Sequence, residues 1–215
     1  MHSIKCQAIL FDLDGTLIDS IRAVDRAWSR WAIRNGMDPV VVVPQIHGRR
    51  ALDSIMLLAP HLDIEAENIW LREAEASDTD GVVPIEGAME FVASLPAERW
   101  SIVTSGAKVV ATARLGAVGL EPFCAVYADD VERGKPHPDP YLLAAKKLGF
   151  VPEACVVFED VAAGVAAGHA AGMKVIAVTS GADRPDLQKA DMLIPNFNRV
   201  RINVEEDEMV IEIGY

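Results

Sequence analysis

Residues 9–20 have the sequence ILFDLDGTLIDS, in which an apolar run ends directly at two carboxylates and a glycine. A buried strand seldom ends in Asp-x-Asp-Gly-Thr unless acids are needed at that end. In an open parallel sheet, ligands bind at the carboxyl ends of the strands. Asp12 and Asp14 are therefore the first candidates for a functional site.

Four short apolar runs, rich in β-branched residues, recur along the chain with helical stretches between them. Runs of this kind are typical of parallel strands that are covered on both faces. They are QAILF (7–11), WSIVT (100–104), ACVVF (154–158) and KVIAV (174–178). Their alternation with helices predicts an α/β fold with a doubly wound, Rossmann-like parallel sheet.

One region, residues 18–84, interrupts this alternation because it contains no convincing buried strand. Ile21, Val24 and Trp28 instead recur at helical spacing, which predicts amphipathic helices. The stretch VVVVP at 40–44 suits a strand by propensity, whereas its position after Asp-Pro suits a helix, and both remain open. We interpret the region as an α-helical insert in the sheet domain.

The remaining chain divides into a core domain and a short C-terminal unit. The core comprises residues 1–17 and 85–198, on either side of the insert. Within residues 199–215, apolar and polar residues alternate around an acidic centre, which predicts a β-hairpin attached to the core.

Composition and charge exclude some classes of partner. The net charge of −12 over 215 residues argues against nucleic acid, because no Lys/Arg cluster offsets it. The N-terminal stretch lacks the apolar run of a signal peptide, and no later run is long enough to suggest a membrane partner. Three scattered cysteines predict free thiols in a reducing cytoplasm. We expect a monomer, with an oligomer left open.

Polar residues follow three of the four predicted strands, which would bring them together at one edge of the sheet. Lys135 lies in a proline-bounded loop just before a predicted helix, from which it could reach the same edge. The residues at the strand ends are Asp12 and Asp14, Thr104 and Ser105, and Glu159 and Asp160.

The chemistry that this set favours is phosphoryl transfer. The carboxylate of Asp12 could attack phosphorus, and Asp14 could protonate the leaving alcohol and later take a proton from water. Thr104 would donate a hydrogen bond to a phosphoryl oxygen, and Lys135 would offset its charge. Asp160 and Asp12 offer the hard oxygen ligands that Mg²⁺ prefers.

Other residues near these motifs have simpler interpretations. Asp19 and Ser20 are expected to cap the helix that follows them. Glu159 could orient the loop lysine, hold a metal-bound water or serve only the structure, and these possibilities stay open. Gly164 and Gly168 are expected to let a helix pack closely on the sheet.

The motifs together resemble those of the haloacid dehalogenase superfamily of aspartate-nucleophile phosphatases. They are DLDGT, VTSG, GKPHPDPY and FEDVAAG, in the family's order. The resemblance implies that Asp12 is the nucleophile and Asp14 the acid/base, and that the helical insert is the family's cap domain. It implies Mg²⁺ bound by Asp12, the backbone carbonyl of Asp14, and Asp160. Retention of Asp14, with Thr16 beside it, favours a phosphatase over a dehalogenase.

Within that superfamily, the chain resembles bacterial sugar phosphatases that act on hexose or polyol phosphates, and the 2-deoxyglucose-6-phosphate and glycerol-phosphate phosphatases. The resemblance rests on IHGRR in the cap, on VTSG and on the terminal hairpin. It implies that Gly48, Arg49 and Arg50 contact the part of the substrate that does not react. Ser105 and Gly106 are expected to bind substrate from the core. Which arginine faces the substrate stays open.

We therefore expect Mg²⁺-dependent hydrolysis of a small sugar or polyol phosphate through an aspartyl phosphate. A phosphomutase resembling β-phosphoglucomutase is the alternative, because the motifs do not separate the two. A non-catalytic phospho-ligand binder with the same fold would be expected to lack a catalytic residue, and none is missing. The identity of the phosphate ester stays open.

Overall fold

The computed structural model describes residues 2–214. Its helices are α1 (Ile21–Arg34), α2 (Pro39–Val42), α3 (Ala51–Leu58), α4 (Ile64–Ala76), α5 (Ala88–Ala93), α6 (Lys108–Ala117), α7 (Asp139–Leu148) and α8 (Ala162–Ala170). Its strands are β1 (His2–Cys6), β2 (Ala8–Phe11), β3 (Ile18–Asp19), β4 (Val83–Pro84), β5 (Trp100–Val103), β6 (Ala125–Val126), β7 (Cys155–Glu159), β8 (Lys174–Val178), β9 (Met192–Ile194), β10 (Val200–Val204) and β11 (Met209–Ile213). Across these residues, each helix is too short or too polar to cross a lipid bilayer.

A six-stranded parallel sheet with the order β6-β5-β2-β7-β8-β9 organises the fold. The four strands predicted from the sequence are its four central members. β2 pairs with β5 on one side and with β7 on the other, so that Ile9 lies opposite both Trp100 and Val156. The direction in which strands are added reverses between β2 and β7, and such a point is where doubly wound sheets bind ligands. The predicted α/β class is confirmed.

The side chains of each central strand alternate between two apolar clusters, one on each face of the sheet. In β2, Ile9 and Phe11 enter the cluster that includes residues of α5 and the C-terminal strands. Ala8 and Leu10 enter the cluster that includes residues of α7 and α8. Both faces are therefore covered, which explains why these strands are apolar at consecutive positions.

The C-terminal strands form the predicted hairpin, in which β10 and β11 pair antiparallel. On its other side β11 also pairs with β1, giving a three-stranded sheet with the order β1-β11-β10. The sequence analysis missed β1, because its partner lies some two hundred residues away and the strand carries no strong apolar run. The end residues of the predicted ranges, Met1 and Tyr215, lie outside the described residues.

The insert is helical, as predicted, and consists of α1 to α4 with their own apolar cluster around Trp31, Ile55 and Leu71. The VVVVP stretch is helical, since Asp38 accepts a hydrogen bond from the N–H of Val40 at the start of α2. The short pair β3 and β4 lies where the chain leaves and rejoins the core. The boundaries proposed after residues 17 and 84 fall at this pair, and the division into separate domains stays a prediction.

Helix α8 packs closely on the sheet because two of its residues lack a side chain, as expected. A Cβ on Gly168 would lie 2.6 Å from a methyl carbon of Val175 in β8 and 3.4 Å from one of Val157 in β7. A Cβ on Gly164 would lie 1.7 Å from a carboxylate oxygen of Glu159. The helix can therefore approach the strands only with glycine at both positions.

We expect Gly168→Ala to lower the free energy of unfolding by about 1–3 kcal/mol, since the added methyl overpacks a rigid part of the core. The matched control is Gly116→Ala in α6, where an added Cβ meets nothing within 4 Å. That change should stabilise the protein by up to about 1 kcal/mol. Thermal or urea unfolding measures both, and equal effects of the two substitutions would contradict the packing argument.

Candidate active site

The structure brings the predicted strand-end residues together at one edge of the sheet. Asp12 follows β2, Thr104 follows β5, and Asp160 follows the last residue of β7. Because β2 lies between β5 and β7, these three positions are neighbours at the carboxyl edge. The N–H of Asp12 also donates to the carbonyl of Phe158, which extends the β2–β7 pairing to Asp12 itself.

Lys135 enters this edge from the loop before α7, and its side chain is almost fully buried. Its Nζ donates to Oδ1 of Asp12 at 2.5 Å, to Oε1 of Glu159 at 2.6 Å and to the carbonyl of Val103 at 2.9 Å. An ammonium group has three donors, and all three have partners here. Lys135 is therefore fixed against the carboxylate of Asp12.

Glu159 is the residue that holds Lys135 in place. Its Oε1 also accepts a hydrogen bond from the hydroxyl of Tyr141 at 2.7 Å. Its Oε2 accepts from the N–H groups of Asp160 at 3.0 Å and Val161 at 3.3 Å. Since both oxygens have protein partners, the geometry favours the orienting role over a metal-bound water. Tyr141 is not among the residues predicted from the sequence, because only the folded structure places its hydroxyl beside Glu159.

The electrostatics of the site are dominated by acids buried close together. Burial raises the pKa of Asp12 to about 8, although Lys135 acts in the opposite direction. Burial, followed by the charge of Asp12, also raises the pKa of Asp160 well above its usual range. Burial alone would lower the pKa of Lys135, but the carboxylates of Asp12 and Glu159 outweigh it and raise that pKa.

This excess of negative charge suits a metal cation. Carboxylate oxygens of Asp12, Glu159 and Asp160 all lie within 4.8 Å of one another, and one lysine faces them. Asp160 packs against Gly15, where φ is +90° and a Cβ would lie 2.1 Å from Oδ2 of Asp160. The glycine of the first motif thus makes room for this carboxylate. The oxygen set fits a hard divalent cation, and the predicted ligand role of the Asp14 carbonyl stays a prediction.

Asp14 lies two residues beyond Asp12 in a different environment. Its Oδ1 accepts hydrogen bonds from the hydroxyl of Ser20 at 2.5 Å and from Nη1 of Arg114 at 2.9 Å. Ser20 occupies the N-cap position of α1, but its side chain makes no capping bond, so that part of the sequence interpretation was wrong. Asp19 does accept a hydrogen bond from the N–H of Ile21.

Residues of the second motif connect the core to the cap. The Oγ1 of Thr104 accepts a hydrogen bond from the N–H of Gly106 at 2.9 Å, which leaves the hydroxyl hydrogen free for a ligand. Ser105 donates to the carbonyl of Gly48 in the cap at 3.3 Å. Gly48, with φ of +75°, lies so near Val161 that a Cβ would come within 2.7 Å.

A cavity of about 290 Å³ lies between this edge and the cap, and Asp12, Asp14, Thr104 and Asp160 open into it. The sequence analysis did not decide between the two cap arginines. Arg49 lines the cavity, whereas Arg50 does not. The guanidinium of Arg50 instead binds both carboxylate oxygens of Asp53, at 2.7 and 2.8 Å, and the carbonyl of Val131 at 3.1 Å.

Further charged residues that the sequence analysis missed also line the cavity: Arg72 and Glu75 of α4, Arg114 of α6, and Arg184 of the loop after β8. Arg72 pairs with Asp129 at 2.7 Å, and Arg184 donates to the carbonyl of Asp160 at 2.9 Å. Each stands in an ordinary helix or loop, so that only tertiary contacts place its side chain at the site.

A family model described as haloacid dehalogenase-like hydrolase matches residues 6–172. The chain belongs to that family. The match includes Asp12, Asp14, Thr104, Lys135, Glu159 and Asp160, whereas Arg184 of the cavity lining lies beyond it.

Two curated relatives cover nearly the whole of this haloacid dehalogenase-like hydrolase. Hexitol phosphatase A from Escherichia coli is 44% identical over 96% of this chain and 99% of its own length. Glycerol-1-phosphate phosphohydrolase 2 from Saccharomyces cerevisiae is 35% identical over 96% of this chain and 90% of its own. The crystal structure of a hydrolase from Pseudomonas syringae superimposes with a TM-score of 0.79 and 27% identity, covering 88% of this chain and 94% of that one.

At about pH 8 we expect Asp160→Asn to be more stable than the metal-free wild type, because it removes one of several like charges buried together. The raised pKa of Asp12, about 8, and that of Asp160 mean that the folded state binds protons more tightly than the unfolded state. The free energy of unfolding of the wild type should therefore fall as pH rises from about 4 to about 8, and that of the variant should fall less.

Thermal unfolding in EDTA at about pH 5 and about pH 8 measures this effect. The control is Asp183→Asn in an exposed loop, which should stay within about 0.5 kcal/mol of the wild type. An Asp160→Asn protein that is less stable than the wild type at both pH values would contradict the argument.

Proposed function

We propose that this hydrolase cleaves small sugar or polyol phosphates through an aspartyl phosphate on Asp12, with Mg²⁺ as cofactor. The observation that carries the proposal is the placement of Asp12, fixed by Lys135, at the base of a cavity of about 290 Å³ that the cap covers. A cavity of this size suits a small ligand.

The first half of the reaction is attack on phosphorus. Because Oδ1 of Asp12 accepts the hydrogen bond from Lys135, Oδ2 is the oxygen available as nucleophile. As the new O–P bond forms, the bond from phosphorus to the ester oxygen breaks, and Asp14 donates a proton to the leaving alcohol. In the second half, a water molecule attacks phosphorus and Asp14 takes a proton from it. The bond between phosphorus and Asp12 breaks, which releases phosphate and restores the carboxylate.

The chain's own donors stabilise the charge on the transferring group. Thr104 can donate its hydroxyl hydrogen to a phosphoryl oxygen, because its own oxygen already accepts from Gly106. Lys135 supplies a fixed positive charge beside the nucleophile. Donors that are held in place before the reaction cost no reorganisation during it.

Mg²⁺ would be held by the carboxylates of Asp12 and Asp160 and by the backbone carbonyl of Asp14. When bound, it supplies positive charge at the transferring phosphoryl group. This metal assignment is supported by the carboxylates of Asp12, Glu159 and Asp160, which lie close together. Lys135 alone does not balance their buried negative charge. The three free cysteines suit the reducing cytoplasm that we propose as the location.

The cap contributes the groups that would contact the rest of the substrate. Within residues 2–214, the guanidinium of Arg49 makes no ion pair or hydrogen bond, although it lines the cavity. It is therefore free to bind hydroxyl or anionic groups of a ligand. The names of the two curated relatives, a hexitol phosphatase and a glycerol-1-phosphate phosphohydrolase, support a polyol or sugar in this position.

The test is release of inorganic phosphate from a panel of hexose, hexitol and glycerol phosphates, with Mg²⁺ and with EDTA. Glucose 1-phosphate belongs in the panel, because accumulation of glucose 6-phosphate without free phosphate would favour the phosphomutase instead. Phosphate release that needs no divalent cation would contradict the metal assignment.

We expect Asp12→Asn to reduce phosphate release below about a tenth of the wild-type rate, since an amide cannot serve as the nucleophile. The control is Asp207→Asn in the exposed hairpin turn, which should turn over normally. An Asp12→Asn protein that retains more than that fraction with every ester of the panel would overturn the proposed role.

The two cap arginines should behave differently. Arg49→Gln should raise KM by about 10-fold or more, the effect of losing a charged hydrogen bond to substrate, with little change in melting temperature. Arg50→Gln should lower the melting temperature, because Asp53 and the Val131 carbonyl lose their partner. Steady-state kinetics and thermal unfolding of both variants check this, and a larger KM effect at Arg50 would reverse the assignment.

A further inference from the structure

Arg114 connects the acid/base of the core to the cap. Its side chain extends from α6 and is 3% exposed. Nη1 donates to Oδ1 of Asp14 at 2.9 Å, and Nη2 donates to Oε1 of Glu75 at 3.1 Å. Glu75 lies in the last turn of cap helix α4 and is itself buried. One planar guanidinium thus bridges two carboxylates that belong to different parts of the fold.

These hydrogen bonds also determine which oxygen of Asp14 is available. Oδ1 accepts from both Ser20 and Arg114, so that the carboxylate cannot rotate without losing two donors. Oδ2 points towards the second motif, 3.9 Å from the position that a Cβ on Gly106 would occupy. Oδ2 is therefore the oxygen that faces the place where the ester binds.

Glu75 is what keeps Arg114 in this position. A buried guanidinium whose second carboxylate is removed is left partly uncompensated, and it would shift towards whatever partner or water remains. Arginine suits this position because its planar guanidinium donates to two acceptors in fixed directions. A lysine has no planar fork with which to bridge two acceptors. The position of Asp14 consequently depends on a residue supplied by the cap.

We propose that Glu75 and Arg114 are positioning residues that make proton transfer by Asp14 conditional on docking of the cap. The proposal rests on the proposed function, since it assigns a role in the same reaction. With the cap docked, Glu75 holds Arg114, Arg114 holds Oδ1, and Oδ2 faces the leaving oxygen. With the cap displaced, the nucleophile Asp12 and its partner Lys135 keep their places. Both supports of Asp14 are then weakened, because Ser20 begins the first cap helix and Arg114 loses Glu75.

The identity of the leaving group distinguishes this role from a structural one. An alcohol such as glycerol leaves only if it is protonated as the P–O bond breaks, whereas 4-nitrophenolate leaves without a proton. The value of kcat/KM reports the steps up to departure of the alcohol. A poorly placed general acid should therefore reduce kcat/KM for glycerol 1-phosphate far more than for 4-nitrophenyl phosphate.

The experiment measures both kcat/KM values for the full-length wild type and for Glu75→Gln and Arg114→Lys in the presence of Mg²⁺. The ratio of the glycerol to the nitrophenyl value should fall by about 10-fold or more in each variant, part of the effect that general acid catalysis usually supplies. Arg114→Lys keeps the buried positive charge, so it guards against failure of Glu75→Gln to fold. Thermal unfolding checks that both variants are native.

The matched control is Asp129→Asn. Asp129 lies in the core and pairs with Arg72 of α4 at 2.7 Å, and it accepts a hydrogen bond from the N–H of Lys108 at the start of α6. The asparagine keeps an oxygen for that N–H, so this change removes the charge of another cap–core ion pair without touching Asp14. In Asp129→Asn, the ratio of the glycerol to the nitrophenyl kcat/KM value should stay within about twofold of that of the wild type. Equal losses on both esters in Glu75→Gln and Arg114→Lys, or a fall in the ratio in Asp129→Asn as well, would overturn the inference. A wild type that hydrolyses neither ester would refute the proposed function, and this inference with it.

Discussion

The ammonium of Lys135 lies where three strand ends meet, and it donates one hydrogen bond each to Asp12, Glu159 and the carbonyl of Val103. A single positive charge cannot balance all the acids buried there, and their burial raises the pKa values of Asp12 and Asp160. The same contact fixes one oxygen of Asp12 and leaves the other free. The remaining negative charge is what a divalent cation would offset. Other features of the core serve this contact: the strand order places its partners side by side, and Gly164 lets α8 approach Glu159 without displacing it.

The cap completes what the core begins. Contacts across the boundary include the bond from Ser105 to Gly48, that from Arg50 to the Val131 carbonyl, and the ion pair between Arg72 and Asp129. They enclose the space above the sheet edge, where excluded water makes every charge–charge interaction stronger. Part of this closure depends on backbone shape, since Gly48 fits beside Val161 only without a Cβ. In the proposed reaction, the core would therefore supply the reacting groups, and the cap would enclose them.

Much of the fold and of the core site could be predicted from the sequence because the relevant information is local. A β-branched apolar run indicates a buried strand, and the polar residue that follows it must lie at the sheet edge. The missed features depend on distant contacts. β1 is a strand because β11 pairs with it, and Arg114 is a site residue because Asp14 and Glu75 lie on either side of it. Likewise, adjacent arginines differ only in the direction that the cap backbone gives them, so that Arg50 is held by Asp53 and Arg49 is not.

The two aspartates of the first motif illustrate how one short segment can supply two chemically distinct groups. Asp12 has a side chain 9% exposed and is held by residues of the core alone. Asp14, two residues later, is 25% exposed and is held by Ser20 at the start of the first cap helix and by Arg114, whose other partner is in the cap. Their spacing of two places both at the end of one strand, yet their supports come from different parts of the molecule. In the proposed reaction, the nucleophile would therefore be in place whenever the core is folded, whereas the proton donor would be in place only when the cap is docked. For an alkyl phosphate, attack without protonation of the leaving oxygen is unproductive, so that in the proposed reaction bond breaking would be confined to the enclosed state.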